Sequence, residues 1–232
     1  MCLGRWWPGM KGLLLPSGGM VGMGGEARRE RKRVAVLVSG GGTNLQALLN
    51  AQGEGRIAAG EIVTVISDNP RAYALERAKR AGVKSYVVER NKREVLEENI
   101  LRILREEEID LLVLAGFITI LSPDFIAACT IPIINVHPSL IPSFCGRGFY
   151  GLKVHRAALD YGVKVTGATV HFVNEIPDGG EIIFQRAVEV KDDDTPESLG
   201  RRVMEEAEWV LLPLAVEKVC RELGEDGGTP GG

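Results

Sequence analysis

The stretch Val34-Ala35-Val36-Leu37-Val38-Ser39-Gly40-Gly41-Gly42-Thr43-Asn44-Leu45 sets the fold class of this chain. Five apolar residues in a row, three of them valine, predict a buried strand. The three glycines that follow allow a tight turn and a close approach of the backbone to a ligand. Leucines spaced along one face then predict a helix over residues 44–51. The stretch is therefore a strand–loop–helix unit.

The same alternation continues outward from this unit. Further apolar strands are predicted at residues 62–66, 85–88 and 111–115, and helices at 73–81 and 92–107. Another buried strand ends near Val136, and it is followed by a helix at 152–161 and two longer strands at 164–173 and 181–190. Apolar strands alternating with helices indicate a parallel sheet covered on both faces. The short connection between the last two strands indicates an antiparallel hairpin. The predicted fold is α/β, a doubly wound, mostly parallel twisted sheet with an antiparallel C-terminal hairpin.

The ends of the chain define one predicted domain. Thr195 as N-cap and Pro196 at the first position open a final helix that extends to about Leu223, with a break expected at Pro213. Residues 34–223 form the single domain. Residues 1–33 are expected to be a disordered leader, and the Gly-rich residues 224–232 a disordered tail.

Composition excludes several classes of protein. A formal charge of −3 over 232 residues gives no reason to expect nucleic acid as the main partner. No apolar run approaches the roughly 20 residues of a membrane helix. The four cysteines lie far apart, which predicts free thiols in a reduced, cytoplasmic protein. His155 and His171 lack metal-ligand spacing, so both are interpreted as structural and no metal is expected.

The glycine loop suits a phosphate. The helix that follows presents free N–H groups and a partial positive charge at its N-terminus. The dinucleotide pattern G-x-G-x-x-G fails because Leu45 stands three residues after Gly42, and the Walker pattern is also missing. A single phosphate of a mononucleotide-like ligand fits better, although a plain tight turn is the alternative.

A second motif, Ile133-Ile134-Asn135-Val136-His137-Pro138-Ser139, predicts a strand that ends in polar groups. Asn135 and His137 are two apart, so their side chains lie on the same side of the strand. Such a pair of donors suits a reaction in which negative charge develops on an oxygen. The alternative is a turn with a histidine near the surface. Asp178, in Asp178-Gly179-Gly180, is either a hairpin turn residue or the carboxylate that orients His137.

Together these motifs resemble the phosphoribosylglycinamide formyltransferases, a family of folate-dependent enzymes. The resemblance covers about residues 34–217, and it also includes Leu114-Ala-Gly-Phe117 and Val165-Thr-Gly-Ala-Thr-Val-His-Phe-Val173. It implies transfer of a formyl group from the co-substrate 10-formyltetrahydrofolate to the amine of glycinamide ribonucleotide in purine biosynthesis. It implies no metal, small molecules as partners rather than nucleic acid or membrane, and a monomer or homodimer.

The resemblance also implies a set of site residues. The catalytic residues would be Asn135, His137 and Asp178. Residues binding the ribonucleotide would be Gly42, Thr43, Asn44, Gly116, Pro138 and Glu208. Residues binding the folate would be Arg93, Ile118, Thr119, Ile120, Leu121, Asn135 and the loop 174–178. Two departures stand out, because many relatives carry Met-Arg at positions 118 and 119, and the run 203–208 is one residue longer here.

Three alternatives remain at this point. A methionyl-tRNA formyltransferase would need a C-terminal RNA-binding domain, and a 10-formyltetrahydrofolate hydrolase a regulatory domain before the catalytic one. A non-catalytic mononucleotide-binding module would need the glycine loop alone.

Overall fold

A computed structural model describes residues 31–225 of the chain. The predicted leader up to residue 30 and the tail from residue 226 lie outside the described residues. Seven strands form one sheet: β1 (Lys32–Val38), β2 (Gly60–Ser67), β3 (Lys84–Val87), β4 (Leu111–Leu114), β5 (Ile133–His137), β6 (Val165–Phe172) and β7 (Ile182–Glu189). The helices are α1 (Thr43–Gly53), α2 (Tyr73–Arg80), α3 (Arg93–Glu106), α4 (Pro123–Ala128), α5 (Leu152–Tyr161), α6 (Pro196–Val203) and α7 (Trp209–Glu225).

The order of strands in the sheet is β3-β2-β1-β4-β5-β6-β7. Strands β1 to β5 run parallel, whereas β6 pairs antiparallel with β5 on one side and with β7 on the other. The predicted fold class and the antiparallel hairpin are therefore confirmed. In such sheets ligands bind beyond the carboxyl ends of the parallel strands, where the strand order reverses. That point lies between β1 and β4.

The core has two layers, one on each face of the sheet. Alternate residues of β1 point to opposite faces. Val34, Val36 and Val38 join a cluster with α1 and α7, while Ala35 and Leu37 join another with α3 and α4. Burial on both faces explains why this strand is apolar throughout.

Several details differ from the sequence predictions. Strand β1 begins at Lys32, two residues earlier than expected. Helix α4 was not predicted, because its six residues are too short for a helical pattern, although Ser122 caps it by accepting a hydrogen bond from the Phe125 N–H. Within residues 31–225, no helix has the length and apolar character needed to cross a membrane.

The last helical segment begins as predicted but is not broken at Pro213. Thr195 is the N-cap of α6 and forms a capping box with Ser198. Helix α7 then passes through Pro213, and the irregularity is a π-helical turn at Met204–Glu208. A proline clashes with the carbonyl four residues before it, here that of Trp209. The widened turn ends directly before Trp209, so the two irregularities of this helical segment are adjacent.

Candidate active site

The end of β5 brings together the polar groups that the sequence indicated. Residues Asn135 and His137 point to the same side, and their partners across the antiparallel ladder are His171 and Thr169 of β6. The carboxylate of Asp178 reaches over this strand end. Its Oδ1 lies 3.5 Å from Asn135 Nδ2, and its Oδ2 lies 3.5 Å from His137 Nδ1. The predicted catalytic residues are therefore adjacent in space.

His137 is buried and has a neighbour at each ring nitrogen. Its Nε2 donates to the carbonyl oxygen of Phe144 at 2.9 Å, in the long loop that follows the strand. A carbonyl can only accept, so Nε2 carries a hydrogen. A proton on Nδ1 then faces the Asp178 carboxylate. In the protonated form of His137, both N–H groups have an acceptor.

Asp178 is fixed by its backbone as well as by its neighbours. Its φ of 56° is left-handed, a conformation that aspartate tolerates better than most residues. Its Oδ2 also accepts the backbone N–H of Gly146 at 2.8 Å. Burial opposes ionisation of the carboxyl, but contact with His171, the charge of His137 and the Gly146 N–H outweigh it and lower the pKa of Asp178. Asp178 is thus a charged carboxylate at neutral pH.

His171 belongs to the site, and the sequence interpretation of it as merely structural missed this. Its Nδ1 donates to the carbonyl of Phe172 at 2.8 Å, so the neutral ring has a lone pair on Nε2. That atom lies 3.2 Å from Asn135 Nδ2 and 3.6 Å from Asp178 Oδ1. His171 therefore fixes which end of the Asn135 amide is the nitrogen. The only signal in the sequence was a histidine within a predicted strand.

The glycine loop places three predicted residues at the N-terminus of α1. Gly42 has a φ of 69°, and a Cβ there would lie 2.6 Å from the Cβ of Ala74. Both the conformation and the close approach of α2 require glycine at this position. The Thr43 hydroxyl contacts the sulfur of Met204, a weak acceptor, at 3.2 Å. The amide of Asn44 donates to Glu208 Oε2 at 2.7 Å.

Glu208 closes the π-turn and is buried against the loop. Burial raises its pKa, while the hydrogen bond from Asn44 acts in the opposite direction. The other atom of that amide, Asn44 Oδ1, is buried without a hydrogen-bond partner among residues 31–225. A π-turn contains one residue more than an α-turn, so it is the local structure that one extra residue in a helix produces. The run 203–208, which the sequence analysis expected to be one residue longer than in relatives, includes this turn.

The predicted folate residues 118–121 form a segment that is held at three points. The Ile118 N–H donates to Ser39 Oγ at 3.1 Å, and the Thr119 hydroxyl donates to Asp68 Oδ2 at 2.8 Å. At its end, Ser122 donates from both its N–H and its hydroxyl to the buried Glu97. The segment is therefore preorganised beside the strand ends. The predicted ribonucleotide residues Gly116, with a φ of 73°, and Pro138 lie in the loops directly after β4 and β5.

The structure does not bring every predicted residue together. Arg93 is exposed at the first position of α3 and contacts no other described side chain through a hydrogen bond or ion pair. His155 is buried on α5, and burial together with the charge of His137 lowers its pKa to about 4. Cys129, Cys145 and Cys220 are free thiols, while Cys2 lies outside the described residues. Over the described range, no cluster of His, Cys, Asp and Glu could hold a metal ion.

Comparison with known proteins assigns the family. Residues 32–216 match the model of the formyl transferase family. The chain belongs to the formyl transferase family, as the motifs suggested.

Individual relatives within this family show which formyl transferases the chain is similar to in sequence and length. The chain is 39% identical over 190 residues to the phosphoribosylglycinamide formyltransferase of Haemophilus influenzae, covering 80% of this chain and 86% of that protein. A crystal structure of glycinamide ribonucleotide transformylase 1 from Symbiobacterium toebii superposes with a TM-score of 0.77 at 40% identity, covering 84% of this chain and 90% of that one. Other relatives are larger. The chain is 42% identical to the trifunctional purine biosynthetic protein adenosine-3 of Gallus gallus, matching 88% of this chain but only 20% of that protein.

Proposed function

We propose that this protein transfers the formyl group of 10-formyltetrahydrofolate to the amine of glycinamide ribonucleotide. The observation that carries the proposal is the contact of one carboxylate, Asp178, with both Asn135 and His137 at the end of β5. A non-catalytic nucleotide-binding module would not need this arrangement. The names of the relatives at 39% and 40% identity point to the same reaction.

The ribonucleotide would bind along the glycine loop. Its phosphate would accept hydrogen bonds from the N–H groups at the start of α1, where the helix dipole favours negative charge. Its ribose hydroxyls are donors that suit the Glu208 carboxyl and the unpartnered Asn44 Oδ1. These contacts would direct the amine toward β5.

The formyl donor would lie against residues 118–121 and extend toward Asp178. Ile118 and Ile120 are 56% and 45% exposed, and they offer an apolar surface to the flat rings of a folate. The three anchors of this segment hold that surface in place before binding. The bound donor supplies an electrophilic formyl carbon.

The chemistry needs a neutral amine and a stabilised oxyanion. When the amine attacks the formyl carbon, a C–N bond forms and negative charge grows on the formyl oxygen. The intermediate then collapses, so that the bond between the formyl carbon and the folate nitrogen breaks and the proton lost by the amine passes to that nitrogen. Asn135 donates one hydrogen bond to the formyl oxygen. Protonated His137 donates another from Nδ1, because Nε2 is held by the Phe144 carbonyl whereas the 3.5 Å contact of Nδ1 with Asp178 is long enough for this N–H to turn to the substrate. Removal of one such donor typically costs about 2.7–4 kcal/mol of transition-state stabilisation. Asp178 balances the charge of His137, and His171 keeps the amide of Asn135 in the donating orientation.

An assay of tetrahydrofolate formation tests the proposal. With glycinamide ribonucleotide and 10-formyltetrahydrofolate both present, we expect tetrahydrofolate to form at a rate that depends on the ribonucleotide. Release without the ribonucleotide would instead indicate the hydrolase. No release, with thermal stabilisation by only one of the two compounds, would indicate a binding module. The cytoplasmic location and the monomeric or homodimeric state stay predictions.

A further inference from the structure

A buried carboxylate holds an arginine beside the segment 118–121. Asp68 directly follows β2, and its side chain has no solvent exposure. Its Oδ2 accepts the hydroxyl of Thr119 at 2.8 Å and lies 3.0 Å from Nε of Arg90. Because an unpaired buried charge is costly, this contact fixes Arg90 where it is. Thr119 and Arg90 thus meet at one oxygen atom.

Within residues 31–225, the two Nη groups of Arg90 are free to bind a ligand. The ion pair with Asp68 uses Nε, and neither Nη group contacts another residue in the described part of the chain through a hydrogen bond or ion pair. The side chain is 39% exposed. Two parallel N–H groups of a guanidinium match the two oxygens of a carboxylate. The free edge of Arg90 is therefore a site for an anion.

The apolar neighbours of Thr119 define what kind of anion fits. Ile118 and Ile120 flank Thr119 and are 56% and 45% exposed. An apolar surface next to a pinned cation suits a ligand with a flat apolar body that ends in a carboxylate. The aminobenzoyl group of a folate, followed by its glutamate, has this order.

We propose that Arg90 binds the glutamate carboxylates of the formyl donor and sets the preference for donors that carry this tail. The inference rests on the proposed function and extends it to one residue. Asp68 acts through Arg90 as a positioning residue, because it pairs with Nε and leaves the Nη groups without a partner among the described residues. The segment 118–121 supports the apolar part of the same ligand.

The test compares two donors, 10-formyltetrahydrofolate and 10-formyltetrahydropteroate, which lacks the glutamate. For Arg90→Gln we expect KM for the first donor to rise about tenfold or more, with kcat within roughly twofold of the native value. KM for the second donor should stay unchanged. Arg90→Lys keeps the charge but loses the two parallel N–H groups of the guanidinium, so KM for the first donor should rise by an intermediate amount. Arg102→Gln, which removes an exposed arginine on α3, is the matched control and should change neither KM.

Two outcomes overturn the inference. Equal changes in KM for both donors would mean that Arg90 only supports the fold of the segment, and no change for either would mean that it does not bind the tail. Thermal melting without ligand shows whether Arg90→Gln is folded. If it is not, the test uses Arg90→Lys and compares its KM for 10-formyltetrahydrofolate with its KM for 10-formyltetrahydropteroate. Absence of turnover by the native protein would overturn the proposed function instead, so the two failures are distinguishable.

Discussion

The two halves of the sheet build binding groups in different ways. The parallel half consists of the neighbouring strands β3, β2, β1 and β4, which all end in loops at the same edge. Its candidate phosphate site consists largely of backbone N–H groups at Gly42, Thr43 and Asn44. The antiparallel half, β5 to β7, places side chains from separate strands next to each other, as with Asn135 and His171. Backbone groups suit an anion that must be held, whereas side chains can carry and exchange protons. Two of the three histidines, His137 and His171, lie on strands of the antiparallel half.

The largest effect is expected at the centre of the antiparallel half. Asp178→Asn removes the charge that faces both His137 and His171 and leaves an amide near the Gly146 N–H. We expect kcat to fall by about 10²- to 10³-fold, because protonated His137 is no longer held as an aligned donor to the oxyanion. Steady-state kinetics at saturating substrates measures this.

Asp192→Asn serves as the control, since this carboxylate is 95% exposed in a surface pair with Lys164. It should leave kcat unchanged. If Asp178→Asn kept the native kcat, Asp178 would have no role in the mechanism, and its charge would not be needed to organise the end of β5.

A second prediction concerns the parallel half. Gly42→Ala forces a side chain into left-handed backbone, with its Cβ 2.6 Å from that of Ala74. We expect KM for glycinamide ribonucleotide to rise at least tenfold and the free energy of unfolding to fall by about 1–3 kcal/mol. Kinetics and denaturant unfolding measure the two effects.

Gly40→Ala is matched to it, because a Cβ at Gly40 has no heavy atom within 4 Å and its φ is not left-handed. Only a small change is expected. If both variants bind the ribonucleotide equally well, the loop is a plain turn and not a phosphate site.

The smallest effect on activity is expected at His155, where stability rather than chemistry changes. In the unfolded chain this residue takes up a proton as pH falls below 6.5, but in the folded chain only near 4. Unfolding therefore binds a proton in this interval, and stability falls from pH 6.5 to about 4 and levels off below. The full loss is on the order of 3 kcal/mol.

His155→Leu should flatten this part of the stability curve, as measured by denaturant unfolding at pH 7 and pH 4.5, with little change in kcat. Arg156→Gln, its exposed neighbour, should keep the native slope. A native slope in His155→Leu would place the acid sensitivity in another group.

Local pattern was sufficient for the order of elements and for placing the two candidate catalytic residues of β5 on one side of the strand. Apolar runs predicted the parallel strands, and the spacing of Asn135 and His137 predicted a shared side. Contacts between strands could not be predicted from local pattern. His171 meets Asn135 only because β5 and β6 pair in one particular register, which no local pattern specifies. Arg90, Asp68 and Thr119 converge from three connections, so their contact requires the whole sheet.

The π-turn at Met204–Glu208 has a consequence for how such a chain can change over time. An added residue in a regular helix rotates everything beyond it by about 100° and would turn the buried face of α7 outward. A widened turn can absorb such a residue, and in the turn of this chain Glu205 and Glu206 face solvent. Length can therefore vary at this point between descendants of one gene, while the helix on either side keeps its contacts with the sheet.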